Sequence, residues 1–259
     1  MSTPGVTFSP PLIIGATGGS GTRVVARLAR QAGFNLGTHL NAADDALEFR
    51  PFHDKWINRF LGAEDRQANL ASNEPQQMAR EFQEIVARHL SKAERGRTRW
   101  GWKGPRSIYL LPFLHAQFPD LKFVHVVRDG RDMAFSKNQN QLRKHGRAVL
   151  TRRERWFNSE PARAILLWGR VNLRAAEYGE SQLGENYLAV RFEDLCEAPV
   201  ETTARLMRFL DVDLDAVSIA GVEIAPPLSL GRWRKQPSRL ISKLERAAAV
   251  SLRKFGYLK

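Results

Sequence analysis

Apolar runs of strand length alternate along this chain with stretches of helical periodicity. Pro11 to Ala16 (PLIIGA) is a short apolar run, which predicts a buried strand. It passes directly into a glycine-rich turn and then a helix from about Ser20 to Ala32, where Val24 and Leu28, and Val25 and Ala32, recur at helical spacing. Lys122 to Arg128 (KFVHVVR) and Tyr187 to Phe192 (YLAVRF) predict two further strands. Helices follow both, Arg131 to about Gln141 and Pro199 to Leu210, the second with proline in its first turn. Arg163 to Tyr178 and Lys243 to Phe255 also read as helices, and about Ala42 to Glu94 is helical and polar with no strand. Strands alternating with helices predict an α/β fold, a parallel central sheet flanked by helices, with a long helical insert after the first strand. No repeat, low-complexity segment or boundary divides the chain, so residues 1–259 are expected to form one domain.

Composition narrows this little. With 259 residues, 43% of them hydrophobic, the chain can bury a substantial core. No stretch approaches the roughly 18 to 20 apolar residues of a membrane span. Met1 to Pro11 lacks the basic residues and apolar run of a signal peptide, and the lone Cys196 excludes an internal disulfide and a cysteine zinc site. A cytoplasmic protein is expected. The formal net charge of +13 changes the picture more, because such a field draws polyanions: nucleic acid, anionic lipid, acidic glycans or a phosphorylated nucleotide. The basic residues are spread, densest at Arg143 to Arg155 and Arg232 to Arg239. They are not interleaved with aromatics as in single-strand binders, so no specific nucleic-acid partner is expected.

The first chemical signal is Gly15 to Arg23, GATGGSGTR, between the first strand and helix. Gly18, Gly19 and Gly21 let the backbone approach a ligand, and the new helix points free N–H groups at an anion. Ser20 and Thr22 add hydroxyls, Ser20 also being expected to cap the helix that follows, and Arg23 adds a guanidinium able to hold phosphate bidentately. The turn alone leaves the anion open. Gly15, Gly18 and Gly21 also fit a dinucleotide fingerprint, so an NAD(P)-binding protein is the rival reading. Against it, NLGTHLNAADD after the helix is a poor second strand, and no Tyr-x-x-x-Lys pair occurs.

The second signal is Trp100 to Ser136, WGWKGPRSIYLLPFLHAQFPDLKFVHVVRDGRDMAFS. Arg128 ends a predicted strand, where ligands collect in open α/β sheets. Ser136 falls about one and a half turns into the predicted helix, so the two side chains can converge on one phosphate. Lys103 can carry charge into the same crevice. The plainer alternative for Arg128 and Arg131 is a salt-bridge network with Asp129 and Asp132 at the helix start.

This segment resembles the 3′-phosphate-binding region of sulfotransferases that use 3′-phosphoadenosine 5′-phosphosulfate (PAPS), in their bacterial form. In that family an arginine ending a strand and a serine eight residues later hold the 3′-phosphate, the spacing of Arg128 and Ser136. WKGP is similar to the element whose lysine reaches the sulfuryl group, which implies that role for Lys103. YLAVRFEDLCEAP resembles the family's later strand–turn–helix. GRWRK, with Arg232, Trp233, Arg234 and Lys235, resembles its C-terminal basic loop. The resemblance implies a P-loop-like nucleotide fold, PAPS as co-substrate, PAP as product, no metal, and a hydroxyl or amine acceptor such as a glycan or small metabolite. The helical insert would then form part of a lid or acceptor wall. A non-catalytic PAP-binding protein on the same fold is the other possibility, because Gly19 stands where the family commonly has Lys or Arg. Lys103, Arg23 or Arg106 must then neutralise the leaving group. For the base, THLNAADDALEF offers Asp45 first, then His39 and Glu48, although a helix-capping cluster beginning near Asn41 accounts equally well for any one of them. The sequence leaves the acceptor class and the oligomeric state undefined.

Overall fold

A computed structural model describes residues 9–65, 73–91, 99–212, 224 and 226–259. In chain order these form β1 (Leu12–Ala16), α1 (Thr22–Gln31), α2 (Arg50–Asp65), α3 (Glu74–Ser91), β2 (Gly101–Lys103), α4 (Leu111–Gln117), β3 (Lys122–Val127), α5 (Gly130–Ala134), α6 (Asn140–Val149), α7 (Arg152–Phe157), α8 (Glu160–Tyr178), β4 (Tyr187–Arg191), α9 (Phe192–Glu197), α10 (Pro199–Phe209), α11 (Ser238–Ala247) and α12 (Ala249–Lys254). The strands form one sheet in the order β2-β1-β3-β4. Every pairing is parallel, with Ile14 opposite Lys103 on one side and Val124 on the other. β1 is buried throughout, as expected of a parallel strand covered on both faces. Because side chains alternate along a strand, Leu12, Ile14 and Ala16 pack with Val25 and Leu28 of α1 and Leu206 of α10. Ile13 faces the other layer, with Trp102, Phe123 and the aromatic residues of the insert.

The insert is less polar in effect than its composition suggests. Phe49, Phe52 and Trp56 lie at helical spacing, as do Met78, Phe82 and Ile85, and all are buried. Phe49 stacks on Trp102 with ring centroids 4.4 Å apart, and Phe82 meets the same indole at 6.0 Å. This aromatic cluster pins the short strand β2, which the sequence reading missed because three residues carry no periodicity. Gly101 lets β2 close onto β1, since a Cβ there would stand 1.9 Å from the Leu12 carbonyl oxygen. The result is that Lys103 sits at the carboxyl end of an edge strand. Past Ser91 the expected helical stretch to Glu94 falls outside the described residues.

Two expected helices are broken. The helix predicted from Arg131 to Gln141 ends at Ala134 and restarts at Asn140, so Ser136 lies in the intervening loop and not inside a helix. Polar side chains outcompete the helical ladder there: Ser136 Oγ accepts from Asn138 N at 3.2 Å, and Gln139 Nε2 donates to Met133 O and Ser136 O at 3.0 and 2.9 Å. The C-terminal helix breaks at Ala248 into α11 and α12.

His53, His125 and His145 are buried in this framework, as is His89. His125 lies between the Tyr187 hydroxyl at 2.6 Å and Asn172 Oδ1 at 2.8 Å, and Asn172 Nδ2 continues to Thr17 Oγ1 at 3.3 Å. Burial lowers His125 to about 4 and both His53 and His145 to about 3, with Arg106 adding to the shift in the last two. Each is neutral in the fold and protonates first in the unfolded chain, so stability present above about pH 6.5 is lost as pH falls towards these lowered values. Between pH 6.5 and 5 each histidine should cost about 1.4 kcal/mol per pH unit. The melting temperature should therefore fall steadily over that range in a pH-dependent thermal scan. A melting temperature constant from pH 7 to 5 would contradict burial of these rings in their neutral form.

Candidate anion site at the carboxyl ends of the strands

The turn after β1 takes its shape from glycine. Gly19 and Gly21 have φ of 87° and 83°, in the left-handed region. A Cβ at Gly21 would stand 2.1 Å from the Phe192 ring, and one at Gly19 would stand 3.9 Å from Ser136 Oγ. The first turn and Ser136 are thus neighbours. Gly18 lies against the Gln141 amide, a neighbour for which the sequence gave no signal. Ser20 behaves differently from expectation. Its hydroxyl donates to Thr17 O at 2.6 Å, closing the turn and leaving the helix uncapped by any side chain. Gly21 is the N-cap, and the first N–H groups of α1, from Thr22 onward, point out of the turn with the positive end of the helix dipole.

Lys103 reaches the same edge from β2. Its side chain is 3% exposed, its ammonium donates to Ala43 O at 2.6 Å, and it is ion-paired with Asp45. Burial pushes the Lys103 pKa down, with Arg23 acting the same way, while Asp45 opposes both. The loop that presents Asp45 is built by Asn41, whose Oδ1 accepts from Ala43 N and Asp45 N at 2.8 and 2.9 Å. It is a side-chain-closed turn and not the helix cap considered above. Arg23 joins it from α1, donating to Ala42 O at 2.8 Å and standing 4.0 Å from Asp44. Lys103, Asp45 and Arg23 therefore converge. His39 does not join them: its Nδ1 lies 3.5 Å from Glu48 Oε1, and its side chain is 56% exposed. Arg106 is likewise engaged elsewhere, donating to Asp54 Oδ1 at 2.5 Å.

Arg128, 4% exposed, ends β3 as predicted. Its Nη2 donates to Asp132 Oδ2 at 3.0 Å and to Ser229 O and Oγ at 2.6 and 3.2 Å, and its guanidinium lies 5.5 Å from the Phe192 ring centroid. The buried Nε has no partner among the described residues. Asp132, fully buried, also accepts from Gly231 N at 2.8 Å and Trp233 N at 3.2 Å, so the basic loop is tied directly to Arg128. Arg232 adds bonds to Ser229 O at 3.0 Å and Phe135 O at 3.3 Å, and Trp233 lies under Arg131 at 3.8 Å. Arg234 and Lys235 remain exposed on the same loop.

The alternative of a salt-bridge network is also realised, in two parts. Arg131 pairs with Asp129 at 2.8 Å and Glu245 at 2.6 Å and donates to Tyr257 O, anchoring the C-terminus away from the crevice. The Arg128–Asp132 pair belongs to the crevice itself. Asp132 was readable four residues after Arg128, one helical turn on, whereas Ser229 follows no pattern. Among the described residues no group of three or more acidic, histidine or cysteine side chains is placed to hold a metal.

No curated protein matches the sequence. The solved structures with similar folds include the sulfotransferase domain of the Synechococcus PCC 7002 olefin synthase, at 15% identity and TM-score 0.56 over 97% of this chain and 96% of that one. A sulfotransferase from Alicyclobacillus acidocaldarius matches at 16% identity and TM-score 0.52, covering 97% of each chain. One from Mycobacterium avium matches at 14% and 0.56, over 96% of this chain and 77% of that one. At these identities the structures speak for the fold, a parallel sheet flanked by helices in the P-loop-like arrangement of sulfotransferases. The NAD(P) reading fails on the same ground, since α1 leads into the Asn41 turn and α2, not to a second strand. The sulfotransferase family model matches residues 11–216, most of the chain, and this protein therefore belongs to the sulfotransferase family.

Proposed function

We propose that this protein transfers a sulfuryl group from PAPS to a hydroxyl or amine acceptor, within one domain and in the cytoplasm. The observation that supports the reading is the approach of Ser136 to the turn at Gly19, with Phe192 lying against both that turn at Gly21 and the Arg128 guanidinium, whose buried Nε has no partner among the described residues. Arg128 and Ser136, with the Arg232–Lys235 loop, would hold the 3′-phosphate of the nucleotide. The Gly18–Arg23 turn and the uncapped start of α1 would hold the 5′-phosphate. In the transfer the acceptor oxygen or nitrogen bonds to sulfur, the bond from sulfur to the bridging oxygen breaks, and PAP leaves with that oxygen.

The protein's part is positioning and charge neutralisation. Lys103 is the cation that stands in for the one absent at Gly19. Its partner Asp45 is the candidate base. In the free protein each neutralises the other; once Lys103 turns to the leaving oxygen, the Asp45 carboxylate is released to take the acceptor's proton. His39, bound to Glu48 and solvent-facing, is the second candidate.

Three expectations follow from these assignments. PAP should bind far more tightly than 5′-AMP, and Arg128→Ala should weaken PAP about tenfold or more, on the scale of one charged hydrogen bond. Isothermal calorimetry giving equal affinities for PAP and AMP would overturn the assignment. For Lys103, alanine should lower turnover roughly 10²-fold while leaving PAP affinity nearly unchanged, since PAP lacks the sulfuryl group. A Lys103→Ala enzyme with full turnover would move the role to Arg23. At Gly19, the φ of 87° means that alanine and lysine should both strain the turn by about 1 to 2 kcal/mol and weaken PAP. If Gly19→Ala binds PAP as wild type does, backbone strain is not what keeps a cation out of this position.

A further inference from the structure

Helix α7, RRERWF, buries none of its residues. It is nevertheless held firmly. Thr151 and Glu154 form a complete capping box, Arg170 of α8 grips Glu154 at 2.6 and 2.8 Å, and Arg155 donates to Arg147 O at 2.7 Å. This scaffold holds Trp156 and Phe157 76% and 81% exposed. Two adjacent bare aromatic rings on a fixed helix lose free energy to water unless something covers them.

Their surroundings say what. From Arg143 to Arg163 the chain carries seven Lys and Arg against two Glu, and one of those, Glu154, is already paired with Arg170. Arg152 and Arg153 are exposed, and no carboxylate pairs with either among the described residues. We propose that α7 docks the protein on an anionic lipid surface, with Trp156 and Phe157 entering the interface and the arginines meeting lipid phosphates. Trp and Phe beside cations are the residue types that settle at a headgroup boundary, and juxtamembrane cations are drawn to anionic leaflets. Consecutive helix positions diverge by about 100°, so the two rings straddle an edge. A single stacked base or sugar would meet one of them, whereas a fluid interface receives both. A second copy of the chain would bring the same positive patch face to face and be repelled. A cavity of about 540 Å³ lies beside Arg170, which grips α7; its apolar walls, with Val149 and Val171, stand next to Arg170 and Arg174, a pairing of apolar and cationic surface that suits a lipid.

The exposed indole supplies the measurement. Trp56, Trp100, Trp102 and Trp168 are at most 3% exposed and Trp233 is half-buried under Arg131, so Trp156 should dominate a change in emission that a Trp156→Phe variant loses. The intact protein is mixed with vesicles of phosphatidylcholine alone, or of phosphatidylcholine with phosphatidylglycerol, and followed by sedimentation and fluorescence. It should sediment with the anionic vesicles only, with a blue shift and quenching by brominated lipid, and release in high salt. The double variant Trp156→Ser/Phe157→Ser should lose vesicle binding, and Arg152→Glu/Arg153→Glu should weaken it at least tenfold. Both should retain the wild-type melting temperature and PAP affinity, since these side chains support neither the core nor the crevice. Several results would overturn the proposal. They are no binding, equal binding to neutral vesicles, and binding unchanged in the variants. Retention on a soluble polyanion without vesicle binding, or a dimer abolished by the double variant, would reassign the surface to those partners.

Discussion

A guanidinium and a carboxylate four residues apart, both almost wholly out of water, hold the working end of this molecule together. Arg128 ends the central strand β3, and Asp132 turns back to it from the short helix α5. Neither charge is tolerable there alone, because burying an uncompensated ion costs several kcal/mol. Asp132 meets that demand with three donors, and two of them are backbone N–H groups of a loop a hundred residues further on. The electrostatic requirement of one arginine thereby fixes where the C-terminal basic loop must lie. α5 is held close enough for this because Gly130 admits the Trp168 ring, which a Cβ would meet at 2.4 Å.

A parallel tension operates at the other end of the crevice. Lys103 is carried inward by an edge strand that aromatic stacking secures, and it keeps its charge through Asp45 and the Ala43 carbonyl. The proposed binding and catalytic groups are thus supplied by different layers. The glycine turn comes from the layer of α1, while the lysine depends on the insert, through Phe49 and Phe82 around Trp102. Loosening the insert would disturb the lysine and leave the glycine turn intact.

How far the sequence foretold this depends on the kind of signal. Three of the four strands were visible as apolar runs, β1 and β3 because both faces are buried, and the edge strand β4 from its Tyr-Leu-Ala-Val sequence although only Val190 is buried. Arg128, Ser136 and the glycine turn could be placed at one edge from their positions relative to those strands, whereas Lys103 was pointed to by the resemblance of WKGP. Ser20 was misassigned because a hydroxyl in a glycine turn can cap the helix or close the turn, and residue type does not distinguish the two. Ser136 was placed in a helix because helix propensity ignores the side-chain bonds of Asn138 and Gln139 that end it. The second strand and Ser229 were invisible, since three residues have no period and a loop contact across a hundred residues leaves no local mark. His39 fell near Asp45 in sequence, but the Asn41 turn directs them to different partners.

The bond between Arg128 and the Ser229 carbonyl has a kinetic corollary. In the free protein this contact occupies the donor that an incoming anion would need, so a ligand enters by exchanging one hydrogen bond for another. On the proposed reading, such an exchange offers little net enthalpy and has Ser229, in the 228–231 strap, move off Arg128 while Asp132 keeps its hold on the Gly231 N–H. Ser229 must do so again before spent nucleotide departs. Turnover would then depend on how readily Ser229 leaves and returns, with Gly231, held by Asp132, as the fixed end of the strap, and not only on the making and breaking of bonds to sulfur.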